Sequence, residues 1–409
     1  MPFTVKWDDG VVVEDDETSV IFDPQKPNPK HKDVLITHSH LDHAKGFIFN
    51  DYRTYSTPET FDLTSVYGKA KKEDWKPLSY QGTVRFEGLE VKSYNAGHIL
   101  GSSIFEVVAA EGSLVYTGDL NTTDTLTMKA ADIVPCDVLV IESTFGEPRF
   151  IFPSREDLSV EIMNWTVKTL RDGKVPVIRS DSTGNSQELI CLFNQLTTIP
   201  VVTHPRVTRI SEVYRKYGFN LMYRDAASEE GTELLGNHEC VLLAPKTGKL
   251  PERIDYECAY ASGWAIYPPR GMTGFPLSDH ADFPHLFNFV KETKPKLVLT
   301  CFGSRNNDVF ASYVEKKLGI KARPLSTSEE EIGSQPSGEW RRPETCFREV
   351  TKVVRVPGFE YKSEWIVGQV GRKGFSRGEV EKVLSLLTRK GVLRFFEESN
   401  TYELHRGST

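Results

Sequence analysis

A hexapeptide dense in metal-binding side chains is the feature of this sequence that most restricts its fold. Residues 38–43 read His-Ser-His-Leu-Asp-His and directly follow the apolar run 34–37. Three imidazoles and a carboxylate are too polar for core filler, and they are the usual ligands of zinc-type ions. A solvated histidine-rich turn is the plainer alternative. The hexapeptide therefore predicts a fold that holds a ligand-bearing loop at the end of a buried strand.

Four further segments place His, Asp or Glu where a predicted strand ends or a predicted helix begins. Gly97 and Gly101 flank His98, the first of these residues, and allow close approach of the backbone. Taken alone, Asp119 in its Gly-Asp turn is more typical of a turn former, and His280 of a structural histidine. Because five such loops occur in one chain, a ligand role is favoured for all of them. The four residues are His98, Asp119, Glu142 and His280.

The ordered set resembles the metallo-β-lactamase superfamily, and its later motifs are similar to those of the nucleic-acid-processing branch, the β-CASP nucleases. The resemblance covers about residues 1–325. It implies an α/β fold, a metallo-β-lactamase αββα sandwich with metals at one edge and an inserted β-CASP α/β domain. The motifs that carry it are His38-x-His-x-Asp-His43, Gly97-His-Ile-Leu-Gly-Ser102, Glu142-Ser-Thr144 and Ser278-Asp-His-Ala-Asp282.

The resemblance also implies a role for each candidate residue. Asp23 would orient a histidine, and Glu142 would pair with His280, the general acid for the leaving oxygen. One or two Zn²⁺ ions, with Mn²⁺ as an alternative, would activate a bridging water for in-line attack on a phosphodiester. The implied catalytic set is Asp42, Asp119, Glu142 and His280. The implied metal ligands are His38, His40 and His98 for one ion, Asp42 and His43 for the other, and Asp119 as the bridge.

One motif departs from the family pattern. RNA-cleaving members have a histidine that completes the second metal site, and this chain has Phe302 in its place. Phe302 therefore predicts a weaker second site, and it favours the DNA-directed branch, which includes Artemis-like, cross-link-repair and ligase-associated nucleases. The neighbouring Cys301 is an alternative ligand, but alternation along the strand directs its side chain to the other face.

Two loops supply candidate phosphate-binding residues. Residues 179–187 lie between a predicted strand and a helix start, where hydroxyls, an amide and the helix N-terminus favour an anion. An ordinary N-cap loop is an equal alternative. In exonucleolytic relatives, a pocket of this kind holds the terminal phosphate. The candidates are Ser182, Thr183, Asn185, Arg270 and Ser278.

The pattern along the chain predicts four parts. After Gly146, strands alternate with helices, which indicates a parallel sheet with crossover helices. The expected parts are a metallo-β-lactamase domain (1–149 and 266–325), a β-CASP domain (150–265), an exposed linker (326–357) and a winged-helix-like domain (358–409). In the last part, DNA contact, protein docking and a purely structural role all remain open. Its candidate phosphate contacts are Arg372, Lys373, Arg377, Lys382, Arg389 and Lys390.

The composition indicates which partners and which cellular compartment to expect. The net charge is −7, yet residues 341–409 hold 14 Lys and Arg against 9 Asp and Glu, a local excess of +5 that could attract phosphates. No apolar run approaches the length of a membrane span, and the first residues do not read as a signal peptide. Six scattered cysteines are typical of reduced thiols in a cytoplasmic protein.

These features predict a metal-dependent DNA phosphodiesterase, a 5′ exonuclease acting on single strands or processed ends in repair. Its partners would be nucleic acid, with DNA favoured over RNA, and a repair protein bound through the C-terminal domain; no membrane is expected. An RNA-processing nuclease, of the RNase J or mRNA 3′-end-processing kind, is the main alternative. A small-molecule hydrolase such as a thioesterase or lactamase, and an inactive scaffold, are two others.

Overall fold

The computed structural model divides into two compact units, Met1–Gly333 and Ser334–Thr409. It describes residues 3–15, 18–68, 70, 73–110, 112–251, 254–332, 350, 352–354, 360–372, 377–389, 392–396 and 399–404. Most of the predicted linker therefore lies outside the described residues.

Two seven-stranded sheets form the base of the larger unit. In spatial order, the first contains β20 (Glu330–Ile332), β1 (Phe3–Trp7), β2 (Val11–Glu14), β3 (Ser19–Phe22), β4 (Asp33–Leu35), β5 (Arg53–Ser56) and β6 (Trp75–Pro77). The second contains β19 (Lys321–Pro324), β18 (Leu297–Cys301), β11 (Val138–Glu142), β10 (Gly112–Tyr116), β9 (Ser103–Ala109), β8 (Glu90–Asn95) and β7 (Thr83–Arg85).

The two sheets pack face to face around an apolar core. Side chains alternate along each strand, so Val11 and Val13 enter this core while Val12 packs on the outer face. Phe22 of the first sheet meets Phe105 of the second at 5.6 Å between ring centroids. The sandwich therefore has an interior made of alternate residues from both sheets.

Helices cover both outer faces of the sandwich. Helix α1 (Pro58–Ser65) and the 3₁₀ helix Ala44–Phe47 lie on the first sheet, where Phe61 and Phe47 join the cluster around Val12. Helices α6 (Phe283–Thr293) and α7 (Asn306–Leu318) pack on the second sheet. The layers are thus helix, sheet, sheet and helix, which is the mixed α/β order that the sequence predicts.

A third sheet of six parallel strands lies between β11 and α6 in the chain. Helices α2, α3 and α4 pack on one face and α5 on the other, because crossover connections place helices on a parallel sheet. The strands, in spatial order, are β14 (Arg224–Asp225), β13 (Val201–Thr203), β15 (Val241–Pro245), β12 (Val175–Ser180), β16 (Tyr256–Ala261) and β17 (Thr273–Phe275). The helices are α2 (Arg155–Arg171), α3 (Asn185–Leu196), α4 (Pro205–Lys216) and α5 (Glu229–Gly236).

Two helix starts have side-chain caps. The Ser154 hydroxyl accepts a hydrogen bond from the Asp157 amide at the start of α2. The Asp282 carboxylate accepts one from the His285 amide at the start of α6. Each cap satisfies a backbone donor that the first helical turn leaves free. The cap of α6 also fixes where the chain leaves the loop that carries His280.

The smaller unit has its own core. Val380, Leu384 and Leu387 pack with Ile366 and Val370. Its described elements are β21 (Glu360–Lys362), α8 (Ser363–Gly371), α9 (Arg377–Arg389), β22 (Leu393–Phe396) and β23 (Thr401–Leu404). The strands form an antiparallel sheet in the order β21-β23-β22.

The described part of this unit contains a helix followed by an antiparallel pair of strands, α9, β22 and β23. Lys373 and Lys390 lie outside the described residues, and the side chains of Lys382 and Arg389 are not described. Assignment as a winged helix stays a prediction.

Within the described residues, no helix combines the length and the apolar character that crossing a bilayer requires.

Candidate metal centre

Strand ends bring the candidate residues to one edge of the sandwich. The hexapeptide loop follows β4, His98 follows β8, Asp119 follows β10, and Glu142 is the last residue of β11. Strands β8, β10 and β11 run in the same direction, so their carboxyl ends meet at the same edge. His280 comes from the loop before α6.

Four side chains at this edge form a compact ligand cluster. One ligand atom from each lies within 4.8 Å of the ligand atoms of the other three. Three imidazoles and a carboxylate at this spacing match the donor set of a zinc-type ion. The cluster consists of His38, His40, His98 and Asp119.

Asp119 lies at the centre of the site. It is 6% exposed, and its Oδ2 lies 3.3 Å from His38 Nε2, 3.7 Å from His98 Nε2 and 3.8 Å from His280 Nε2. Its other oxygen, Oδ1, is 3.5 Å from His43 Nε2. The carboxylate therefore lies at salt-bridge distance from His38, His43, His98 and His280. A carboxylate that bridges two metal ions would need a central position of this kind.

Asp23 holds one face of the centre in place. Its Oδ2 accepts hydrogen bonds from Tyr116 Oη at 2.8 Å and Thr37 Oγ1 at 2.6 Å, and lies 2.8 Å from His43 Nδ1. Its Oδ1 accepts from the Thr37 amide at 2.8 Å. With Nδ1 held by the carboxylate, His43 presents Nε2 to Asp119. The family resemblance implies an orienting role of this kind for Asp23.

Backbone contacts orient His98 in a similar way. Its Nδ1 lies 2.8 Å from the carbonyl oxygen of Asp279, and its Nε2 lies 3.1 Å from His40 Nδ1. The preceding Gly97 has a φ of 69°, and a Cβ there would collide with the carbonyl oxygen of Asn121. The glycine is therefore required for the chain to bring His98 this close to its neighbours.

The chemistry of His38 tests whether a cation fits this cluster. Its Nδ1 lies 3.0 Å from Thr37 Oγ1, while its buried Nε2 has no hydrogen-bond partner within the described part of the chain. Burial, reinforced by the neighbouring imidazoles, holds the pKa values of His38 and His98 well below their usual range. Neutral rings with a free nitrogen are what metal ligation requires, so the residues fit a divalent cation.

Asp42 and His43, the implied ligands of a second ion, are less tightly arranged. The Asp42 side chain is 69% exposed, and its Oδ2 lies 3.9 Å from His43 Nε2. Neither residue belongs to the compact ligand groups found among the described residues. Both residues line the cavity, but their ligand atoms are not as close to one another as those of the four residues of the compact cluster.

Glu142 and His280 form a separate hydrogen-bonded pair next to the cluster. His280 Nδ1 lies 2.9 Å from Glu142 Oε1. The same oxygen accepts from the Leu120 amide at 2.9 Å, and Oε2 accepts from the Thr144 amide at 3.2 Å. Burial lowers the pKa of His280, but the Glu142 and Asp119 carboxylates outweigh it and raise that pKa to about 10. The imidazolium is thus stabilised with its Nε2 directed at Asp119.

Phe302 stands beside His43. The two rings are 4.4 Å apart between centroids and 30° from parallel, and Trp7 packs against Phe302 at 5.5 Å. The adjacent Cys301 is buried in the core between the sheets, with its thiol 3.6 Å from the carbonyl oxygen of Ile141. Cys301 is absent from the ligand groups of the described residues.

A cavity of about 450 Å³ opens over the centre. Three of the five phosphate candidates, Ser182, Thr183 and Ser278, line it. Arg270 is exposed and is not among the lining residues, because it sits in the solvent-exposed segment 267–271 before β17. Asn185 is buried, and its side-chain amide faces Asp181 at 3.4 Å.

Lys246 is a cavity residue that the sequence reasoning missed. Its Nζ lies 2.6 Å from Asp181 Oδ2, and both residues line the cavity. Lys246 directly follows strand β15. The rule that selected the histidines, a polar residue after a buried strand, would have found it if applied to cations as well.

The curated relatives of this chain share only part of their length with it. A "Probable DNA ligase" of Opitutus terrae is 32% identical over 222 residues, which are 52% of this chain and 21% of the ligase. An "RNase J-like protein" of Methanocaldococcus jannaschii is 30% identical over 212 residues, 45% of this chain and 50% of the relative. "Cleavage and polyadenylation specificity factor subunit 3" of Dictyostelium discoideum is 28% identical over 234 residues, 46% of this chain and 29% of the relative. The chain thus spans half or less of the length of these relatives.

A solved structure shows the same fold. The crystal structure of a protein of unknown function from Enterococcus faecalis V583 matches with a TM-score of 0.58 and 12% identity, and covers 81% of this chain and all of that one. No protein-family model matches the chain.

The αββα layers and the histidine-carboxylate cluster at their edge define a metallo-β-lactamase type of protein. The third sheet inserted before His280, together with the relatives above, supports the resemblance of this chain to the β-CASP nucleases of that superfamily.

Proposed function

We propose that this chain is a metal-dependent phosphodiesterase that hydrolyses DNA, acting as a cytoplasmic 5′ exonuclease on single strands or processed ends in DNA repair. The observation that carries the proposal is the position of the Glu142–His280 pair beside the ligand cluster, with His280 Nε2 at 3.8 Å from Asp119 Oδ2. Phosphodiester hydrolysis needs an activated water and a protonated leaving oxygen. This edge of the sandwich offers residues for both tasks.

His38, His40, His98 and Asp119 would hold the first cation, which we take to be Zn²⁺ or Mn²⁺. Asp42, His43 and Asp119 would hold a second, weaker one beside Phe302. A divalent cation bound there would act as a Lewis acid on the phosphodiester and lower the pKa of water. The protein residues would fix the position of the phosphate and exclude alternative geometries, because Asp23 and the Asp279 carbonyl restrain the histidine rings.

His280 would donate the proton to the leaving oxygen. Glu142 holds its Nδ1 at 2.9 Å, which leaves Nε2 as the nitrogen that faces the cavity. Glu142 cannot rotate freely, since it accepts hydrogen bonds from two backbone amides as well. An imidazole oriented by a fixed carboxylate is the arrangement that general acid catalysis requires.

The far wall of the cavity would receive the terminal phosphate of the substrate strand. Ser182, Thr183 and Ser278 supply hydroxyl donors there, and Lys246 supplies a cation. Asp181 pairs with Lys246 and keeps its ammonium group in place. A phosphate would share this lysine with Asp181 through charge-assisted hydrogen bonds.

Two observations favour DNA. Phe302 stands where RNA-cleaving members have a histidine, and the Opitutus terrae relative is named a DNA ligase. The smaller unit, proposed to be a winged helix, would add contacts to DNA or to a repair protein. Its Arg372 and Arg377 are the described candidates for phosphate contact, although Arg377 already pairs with Glu364 at 2.6 Å.

RNA hydrolysis is the second candidate function, because several relatives carry RNA-processing names. They include the RNase J-like protein, the polyadenylation factor subunit and an "Endoribonuclease YSH1" of Eremothecium gossypii. An inactive scaffold is the third candidate.

A side-by-side cleavage assay separates these candidates. The protein, loaded with Zn²⁺ or Mn²⁺, is given matched single-stranded DNA and RNA oligonucleotides with 5′-phosphate or 5′-hydroxyl ends, and His40→Ala is the control. DNA-selective loss of nucleotides from the 5′ end supports the proposal. RNA-selective cleavage supports the second candidate, and binding without cleavage of either substrate supports a scaffold.

A further inference from the structure

Trp264 is an exposed aromatic residue in the wall of the catalytic cavity. It belongs to the 3₁₀ helix Gly263–Ile266, is 45% exposed, and lines the same cavity as His40, Asp119 and His280. Tryptophan carries a large apolar surface that folding normally covers. An indole left open to a polar cavity therefore indicates a surface that a ligand covers.

Two neighbouring aromatic rings hold the indole in position. Phe145 packs against it at 4.8 Å between centroids, and Phe150 meets it edge-on at 5.5 Å and 84°. The preceding Gly263 has no room for a side chain, because a Cβ would lie 2.5 Å from the ring of Phe145 and 2.8 Å from Ser278 Oγ. The segment is thus packed closely against the cavity wall, and the indole is supported from behind.

Phe145 also connects the indole to the general acid candidate. Its ring centroid lies 5.8 Å from that of His280 and 4.8 Å from that of Trp264. Trp264 is therefore within one or two nucleotides of a phosphate placed at His280. A strand bound in this cavity with a phosphate at His280 would have the indole within reach of its bases.

We propose that Trp264 is a stacking platform for the unpaired base of a nucleotide next to the scissile phosphate. The proposal rests on the proposed function and narrows its substrate class to strands whose terminal bases are unpaired. Every base has a flat face, so an indole can stack on it whatever the sequence. A base inside a duplex has both faces covered by its neighbours and its edge engaged by its partner, so a paired strand would have to open before such a base could lie on the indole.

The test compares four proteins, the natural chain and three variants, on two kinds of substrate. Single-stranded oligonucleotides carry either natural bases or an abasic residue at one of the first three positions. Single-turnover cleavage is measured for the natural chain, for Trp264→Ala and for Trp264→Phe. Binding is measured by fluorescence anisotropy in the same proteins with His280→Ala added. Tyr256→Ala is the matched control, because Tyr256 is 43% exposed and lies outside the cavity lining.

The natural chain should lose about 5- to 100-fold in binding and rate at one abasic position. Trp264→Ala should show that loss on the natural strand and no further loss on the abasic strand. Trp264→Phe should retain most of the effect, and Tyr256→Ala should behave as the natural chain does. Circular dichroism and metal content report whether each variant is folded.

Two results would overturn the proposal: equal binding by Trp264→Ala and the natural chain, or an abasic penalty of the same size in both. The second result would indicate that Trp264 covers a different partner. Binding without cleavage would count against the proposed function alone, because the comparison of binding still decides the stacking. Absence of binding to any oligonucleotide would overturn both.

Discussion

The ring of Phe302 lies 4.4 Å from the ring of His43, with the two planes 30° apart. His43 is held on its other side by Asp23 at 2.8 Å. The phenyl ring of Phe302 thus lies beside Asp42 and His43, the implied ligands of the second ion, and it offers no lone pair to a metal. This single contact accounts for much of the expected difference between the two cation sites.

Replacing Phe302 with histidine should strengthen the second site. We expect Phe302→His to retain about two equivalents of Zn²⁺ after dialysis, and the natural chain fewer, because the new imidazole adds a ligand. Elemental analysis of the dialysed proteins measures this. Phe302→Leu is the control for loss of the ring alone. Equal metal content in all three proteins would contradict the expected role of Phe302.

Removing Asp119 should abolish both metal retention and activity. The carboxylate contacts four imidazoles, and its loss would leave them without their common anionic partner. We expect Asp119→Ala to lose cleavage by at least about 10³-fold, as measured by single-turnover kinetics. Asp124→Ala is a matched control, since Asp124 pairs with Lys129 in the following loop. Substantial activity in Asp119→Ala would refute the assignment of the centre.

Removing the imidazole of His280 should slow turnover while the metal stays bound. A general acid contributes roughly 10²- to 10⁴-fold to the rate, so His280→Ala should lose that factor. A substrate with sulfur as the bridging leaving atom needs no acid, and should restore the rate of this variant. His285→Ala is the control, because His285 forms a similar pair with Asp282 at 2.5 Å but lies outside the cavity lining. A variant that is slow on both substrates would indicate a different role.

Lys246 should set the preference for a 5′-phosphate end. Replacing a partly buried lysine removes one charge-assisted hydrogen bond, which corresponds to roughly 10- to 100-fold in binding. We expect Lys246→Met to lose most of the difference between 5′-phosphate and 5′-hydroxyl strands. Lys296→Met serves for comparison, since Lys296 forms a similar pair with Asp137 at 2.7 Å on the exposed surface. An unchanged preference in Lys246→Met would place the phosphate elsewhere.

Gly97 should tolerate no side chain. Gly97 and Gly173 have similar φ angles, 69° and 76°, but only Gly97 is surrounded by backbone atoms, and Gly173 has none within 4 Å. We expect Gly173→Ala to cost about 1 kcal/mol of unfolding free energy. Gly97→Ala should cost clearly more, and it should also weaken metal binding through His98. Denaturant unfolding measures the loss of stability in both variants. Gly173→Ala reports the cost of the positive φ alone, and the additional loss in Gly97→Ala reports the steric collision. Metal content shows whether His98 still binds the cation.

Local patterns made much of the fold predictable. The apolar alternation of the strands, the capping residue Ser154 and the ligand-rich loop 38–43 are all short-range features, and the elements form where these features lie. Residues 179–187 are predicted to precede a helix, but that helix, α3, already begins at Asn185. There the Gln187 side chain accepts a hydrogen bond from the Gly184 amide and closes the first turn earlier than apolar periodicity indicates.

Long-range packing determines which other side chains enter the cavity, and local sequence patterns do not predict it. Lys246 and Trp264 enter the cavity because β15 and the segment after β16 end beside it, which depends on strand order in the third sheet. Arg270 has a promising local context, yet its segment lies in solvent. The placement of a side chain in a shared cavity follows from topology, and a single sequence gives topology only through its likeness to a family.

Glu142 receives hydrogen bonds from His280 and from the amide of Leu120, the residue after Asp119. One carboxylate thus links the loop that carries His280 to the loop that carries Asp119. Because both loops are hydrogen-bonded to the same group, thermal motion should change the distance between His280 and Asp119 less than it changes the position of either residue.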